Sequence, residues 1–199
     1  MVLLFSTLCF AQDKVSDEEF LNSVYSTSVD TSLKYYYLFE EKTKLYIHRY
    51  DIKEVKAEFS KFAPAAIVNE MLQNAIVDTL SEKWNCQNLE DTKCIDQESN
   101  DSLIKSPYFI DIDSKWSKRR QKKEEEKQLE KQQLERRNRP KEERGVYYIS
   151  RPIFNQENNL AIISIWYSCG WTCGDGCVYL FKYKNGTWIK LAEADCKMS

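Results

Sequence analysis

Apolar positions along this chain follow two rhythms, helical in the N-terminal half and strand-like toward the C-terminus. Ser16-Asp-Glu-Glu19 has the pattern of a capping box, and Phe20, Leu21 and Val24 behind it form a helical stripe. That helix is predicted to fade by Ser28, where Ser, Thr and Asp accumulate. Tyr35-Tyr-Tyr-Leu-Phe39 reads as an aromatic strand, and Leu45-Tyr-Ile-His48 as another short one. From Asp51 to about Trp84 the pattern is helical: Ile67, Met71 and Ala75, and beside them Leu72 and Ile76, recur every four residues, with Pro64 suited to a first turn. Asn85 to Ser106 is polar and aperiodic and holds two cysteines, so it is predicted to be a loop tied by a bridge.

Residues 117–144 differ in kind. Strong helix formers dominate, and pairs such as Arg120 with Glu124 and Glu135 with Arg139 sit one turn apart. Leu129 and Leu134 are its only apolar residues between Ser117 and Pro140, too few for a coiled-coil seam, so the pattern predicts a long charged helix projecting from the domain and ending at Pro140. Beyond it the period shortens. Val146–Ser150, Leu160–Tyr167, Val178–Tyr183 and Thr187–Leu191 are β-rich runs, the last two joined across Lys184-Asn-Gly186, where Asn-Gly favours a tight hairpin. Leu160–Tyr167 is apolar at nearly every position, as expected of a central strand covered on both faces. The fold class is therefore α+β, with N-terminal helices packed on a C-terminal antiparallel β-meander. At 199 residues the chain suits one domain, residues 12–199, with the charged helical insertion at 117–144.

Charge narrows the partners. The 29 basic and 31 acidic residues leave a net charge of -2, which excludes nucleic acid as the main partner because phosphate binding needs a surplus of Lys and Arg. The run Met1–Ala11 is apolar, ends in a small residue and gives way at once to Asp13, Lys14 and Asp17, so residues 1–11 read as a signal peptide, although no Lys or Arg precedes the run. It is shorter than the ~20 residues a membrane-spanning helix needs, and no transmembrane segment is predicted. The expected location is outside the cytoplasm, periplasmic or secreted. Cysteine usage agrees: apart from Cys9 in the leader, Cys86, Cys94, Cys169, Cys173, Cys177 and Cys196 form an even set suited to bridges. Cys86 and Cys94 pair by proximity; the order among the other four stays open. Asn100-Asp-Ser102 and Asn185-Gly-Thr187 match glycosylation acceptors.

Ser150-Arg-Pro-Ile-Phe-Asn155, Ala161, Tyr167-Ser-Cys-Gly170, Cys173-Gly-Asp-Gly176, Tyr179-Leu and Asn185-Gly-Thr-Trp188 form a series over residues 145–199. It resembles an uncharacterised group of small exported bacterial proteins that end in a Cys-Gly…Cys-Gly-x-Gly loop and a Gly-x-Trp hairpin. The resemblance implies export and an α+β fold closing in a meander, and it implies no activity. The charged stretch and Cys177 depart from that pattern.

Candidate chemistry is sparse. Cys169, Cys173 and Cys177 at four-residue intervals, with Cys196 downstream, offer a four-cysteine zinc site or a reactive thiol, but in an oxidising compartment disulfides are the expected state. Gly170, Gly174 and Gly176 are expected to let the chain turn between two strands, with Asp175 at that turn. His48 is the only histidine and any hydrolytic triad would need it as base, while Asp111 and Asp113 are too ordinary a carboxylate pair to carry acid–base work. Tyrosines and tryptophans on strands mostly fill cores, but Tyr167, Trp171 and Asp175 near the cysteine loop are candidate binding residues. No catalytic residue, metal or cofactor is assigned. The expected function is a non-enzymatic binding or interaction module, with an unknown protein or cell-envelope partner reached through the charged helix. A small hydrolase or thiol- or metal-dependent protein using His48 or Cys169–Cys177 is the alternative.

Overall fold

The capping box at Ser16 sets the first helix in place. Glu19 N–H donates to Ser16 Oγ and the Ser16 N–H to a Glu19 carboxylate oxygen at 2.9 Å, opening α1 (Asp17–Ser28). These bonds also hold the Glu19 carboxyl below its usual range. The computed structural model describes residues 15–28, 32–47, 52–77, 82–104, 118–170 and 173–198. Residues 1–11, read above as a signal peptide, and His48, Asp111, Asp113 and Trp171 lie outside them.

Among the described residues the chain forms five α-helices and a seven-stranded, mostly antiparallel sheet. All five helices precede β3 (Val146–Ile149), and five of the seven strands follow the last helix. The strands after it are β4 (Ile153–Phe154), β5 (Leu160–Ser168), β6 (Gly174–Lys184) and β7 (Thr187–Met198). β3, β5, β6 and β7 pair in sequence as an antiparallel meander, and β4 adds a short pairing with β5. Asn185 and Gly186 turn the last hairpin with φ of 54° and 85°, the left-handed values that a two-residue turn demands.

Alternation along the strands sorts the core onto two faces. Ala161, Ile163 and Ile165 of β5 and Phe181 of β6 point to the face covered by α1, whose Phe20, Leu21 and Val24 are fully buried. Leu160 and Ile162 with Val178 and Leu180 point the other way, against α2 (Ile52–Phe59) and α3 (Ala65–Val77). β5 is apolar at successive positions because both of its faces are covered.

Three expectations change. The helical pattern over 51–84 is, among the described residues, two helices: Pro64 disfavours a helical conformation at Ala63, and its own carbonyl accepts from Val68 N–H to start α3. Lys83 and Trp84 are extended, Trp84 N–H donating to Glu40 O. Leu45–Ile47 joins no ladder; Tyr46 N–H instead donates to Ser164 Oγ while Leu45 and Ile47 pack on the second core. The supposed loop at 85–106 is tied between Cys86 and Cys94, yet it contains β2 (Thr92–Ile95) and α4 (Gln97–Ile104). β2 lies parallel to β1 (Tyr36–Phe39), and β1 lies parallel to β3. Asp96 starts α4 by accepting from Ser99 N–H. Asn100 on α4 is buried and accepts from the Tyr148 hydroxyl at 2.7 Å, so the first glycosylation match is closed in this fold, whereas Asn185 is exposed at its turn.

α5 (Lys118–Asn138) occupies the charged stretch. Among its described side chains, Lys127 pairs with Glu124 and Lys131 with Glu135, each one turn apart; the Arg120 side chain lies outside the described residues. Exposed pairs of this kind contribute little each. No helix of the described residues is long and apolar enough to cross a membrane.

Candidate functional site

On the face that carries α1, a cleft of about 410 Å³ opens where β3, β5 and β6 meet the segment that leads out of α5. Its floor is a row of side chains that strand alternation brings together: Tyr147 on β3, Ile165 and Tyr167 on β5, and Asp175 and Tyr179 on β6. The register sets Tyr147 opposite Tyr167 and Tyr167 opposite Asp175. The Tyr147 and Tyr167 rings lie 5.0 Å apart, tilted by 47°. Tyr167 crosses the chain at Gly145, where an added Cβ would sit 2.5 Å from both the Tyr167 ring and the Ser168 carbonyl. Only glycine lets that ring lie there.

Gly174 and Gly176 belong to β6 and not to a turn, which corrects the expectation for them and for Asp175. A Cβ on Gly176 would meet the Ile165 carbonyl and the Trp166 ring at 2.6 Å, so this position keeps β6 close to β5. Gly170, with φ of 125°, is the residue that bends the connection.

The basic rim comes from the 3₁₀ turn Lys141–Glu143 and the residue after it. Lys141 is exposed, and Arg144 is half-buried. Arg144 Nε donates to Arg139 O at 3.0 Å and a terminal guanidinium nitrogen to Arg137 O at 3.1 Å. One cation thus lines the cleft and satisfies carbonyls at the C-terminus of α5. The turn is held in turn by Tyr35, whose hydroxyl donates to Glu143, and by Lys34 N–H, which donates to Glu142. Replacing Arg144 by alanine is expected to fray the last turn of α5, raising amide exchange at 136–139 at a cost of about 1 kcal/mol. Lysine restores only part of this, because its ammonium cannot fork to two carbonyls. Exchange mass spectrometry at those residues checks it.

Burial pushes the Tyr179 hydroxyl up to about 12, and the Glu193 and Asp175 carboxylates add to the effect. Tyr36 rises to about 12, chiefly through burial, with Thr92 opposing and Asp91 adding. Both phenols are therefore neutral at neutral pH, Tyr179 as a hydrogen-bond donor beside the cleft. An unfolded tyrosine ionises near 10, so folding favours the neutral form. Their contribution is complete below pH ~10 and is lost as pH rises through the folded value, on the order of 2 kcal/mol per tyrosine. Urea midpoints at pH ~9 and ~11.5 should differ in that direction, with a smaller difference in Tyr179→Phe.

The six described cysteines are paired: Cys86 with Cys94, Cys169 with Cys173, and Cys177 with Cys196, at Cα separations of 6.1, 5.2 and 4.1 Å. Bridged sulfurs are neither zinc-ligating thiolates nor nucleophiles, so the four-cysteine and reactive-thiol arrangements are not those of this structure. Cys177 and Cys196 meet because β7 bulges there, with Asp195 at φ of 51° shifting the register. His48 and Trp171 cannot be set against the cleft, being outside the described residues. Of the three binding candidates, Tyr167 and Asp175 come together in it, whereas Lys141, Arg144 and Tyr147 were not singled out. An Arg-Gly pair just after a helix-ending proline was the available signal for them.

A second hollow, of about 450 Å³, lies between α3 and the β4 region, and several of its polar side chains are held by partners in the fold. Asn155 Oδ1 accepts from the N–H groups of Asn159 and Leu160, and Arg151 pairs with Asp17 and Glu82. No protein-family model, curated protein or solved structure matches the chain.

Proposed function

We propose that the protein is a non-enzymatic binding module that works outside the cytoplasm, periplasmic or secreted. The observation that supports it most is the cleft, in which two cations, one carboxylate and three phenol rings converge on a rigid sheet. Three bridges and the absence, among the described residues, of a helix able to cross a membrane are compatible with export. Kinship with the small exported bacterial group belongs to the same proposal. In this reading α5 is a charged arm that projects from the domain toward a protein or envelope partner, anchored at its base by Arg144.

An NMR screen of a fragment library against the full, oxidised chain tests the binding reading. Shifts clustered at 144–147, 165–167 and 175–179 are expected, and a library without hits there removes its basis. Intact mass of the exported protein with and without reduction tests the compartment. A chain starting near Gln12 with no free thiol is expected, while a full-length mass with free thiols overturns export.

A further inference from the structure

We propose that the cleft takes a small organic acid carrying a second hydrogen-bonding group: its carboxylate against Lys141 and Arg144, its hydroxyl or ammonium against Asp175. The inference rests on the binding reading above and specifies its ligand.

The charges of the cleft argue for it. The Arg144 guanidinium spends two of its donors on the carbonyls of Arg137 and Arg139, which satisfy hydrogen bonds without cancelling charge. Lys141 stands exposed beside it, and among the described residues neither cation forms an ion pair with a carboxylate. A carboxylate is the group that a guanidinium and an ammonium on one rim bind with most geometric profit. Asp175 lies on β6, two strands from the start of β3. At ~4.8 Å per strand the backbone of Asp175 is ~10 Å from that of Tyr147, a floor wide enough for a ligand the size of one sugar ring or one amino acid. Tyr179, kept protonated, adds a neutral donor, and Tyr147 and Tyr167 with Ile165 supply an apolar floor.

Other ligand classes fit less well. A wholly apolar molecule would strip water from Lys141, Arg144 and Asp175 without replacing it. A phosphate dianion would meet Asp175 in the cleft and Glu142 next to Lys141, and is repelled more strongly by them than a monocarboxylate is. Two sources share the preferred chemistry: sugar acids, which present hydroxyls to Asp175, and amino acids, which present an ammonium.

The test is an NMR titration of the full, oxidised chain with glucuronic and galacturonic acids in one arm and free amino acids in the other. Glucose and amino-acid amides serve as the uncharged counterparts. The expected result is saturable shifts at the cleft with one arm, at least about tenfold weaker binding of its uncharged counterpart, and several-fold loss between about 50 and about 500 mM NaCl. Lys141→Glu, a change on an exposed turn, should weaken binding about tenfold without disturbing the rest of the spectrum. Asp175→Asn should weaken the amino-acid arm far more than the sugar-acid arm, because only the former brings a cation. Equal binding of charged and uncharged ligands, indifference to Lys141→Glu, or shifts outside the cleft would overturn the assignment. If library fragments occupy the cleft and no acid does, the ligand class fails and the binding reading stands. If nothing occupies it, both fail.

Discussion

Replacing Phe20 by alanine is expected to lower the unfolding free energy by about 4 kcal/mol and the melting temperature by roughly 10 °C. Phe20 is fully buried at the centre of the first core. Its ring meets Phe154, Phe181 and Trp188 edge to face, at centroid distances of 5.4, 5.7 and 4.9 Å. These partners belong to β4, β6 and β7, so one side chain joins α1 to three strands. Alanine would remove the transfer free energy of the ring and leave a cavity that rigid strands cannot collapse into. Leucine keeps most of the volume and should cost about 1–2 kcal/mol. Urea unfolding of the two variants separates the outcomes, and a loss below ~1 kcal/mol for alanine would mean that α1 does not dock on this face.

The double substitution Cys177→Ser with Cys196→Ser is expected to cost about 3 kcal/mol, the second-largest loss. The bridge closes a segment of sequence separation 19, against 8 for Cys86–Cys94 and 4 for Cys169–Cys173. On chain-entropy grounds it should therefore constrain the unfolded chain most of the three, though the logarithmic dependence keeps the differences under about 2 kcal/mol. It also fastens β7 at the bulge where Asp195 is buried and Lys197 lies 3.3 Å from its carboxylate. Cys177 shares a face of β6 with Asp175 and Tyr179, so loosening this pairing should reach the cleft. Calorimetry of the double variant should show the lower transition. NMR shifts in the folded spectrum should concentrate at 174–180 and 194–198, and an unchanged melting temperature would mean that this bridge does not constrain the unfolded chain.

Where a signal is local it was legible in the amino-acid sequence. The capping box at Ser16, the stripe of Phe20, Leu21 and Val24, and the Asn185-Gly186 turn each depend on neighbours within a few residues. So does the apolar run of β5, whose continuity announces a strand buried on both sides. β2 was hidden because Thr92-Lys-Cys-Ile95 offers one buried apolar side chain and finds its partner in β1, more than fifty residues earlier. Its ladder is parallel, and parallel pairing leaves no hairpin turn to mark it. α4 was hidden because its eight residues are mostly polar, and the helix is set by the Asp96 cap and by the Tyr148 bond to Asn100. Pro64 suits a helix start and also restricts Ala63 before it, so the sequence carries the end of α2 as well as the start of α3.

By itself the chain determined its alternation, its caps and turns, the even number of its cysteines beyond residue 11, and the near balance of its charge. These follow from rules of short range: staggered side chains, hydrogen bonds to near neighbours, and composition. The tertiary structure decided which cysteine meets which, because pairing depends on Cα positions that only the β7 bulge and the β5–β6 connection supply. It also decided that Tyr167 and Asp175 share a cleft with Lys141, Arg144 and Tyr147. Residues from three strands and the segment after α5 become neighbours only when the register β3–β5–β6 is set, and that register is chosen by burying both faces of β5.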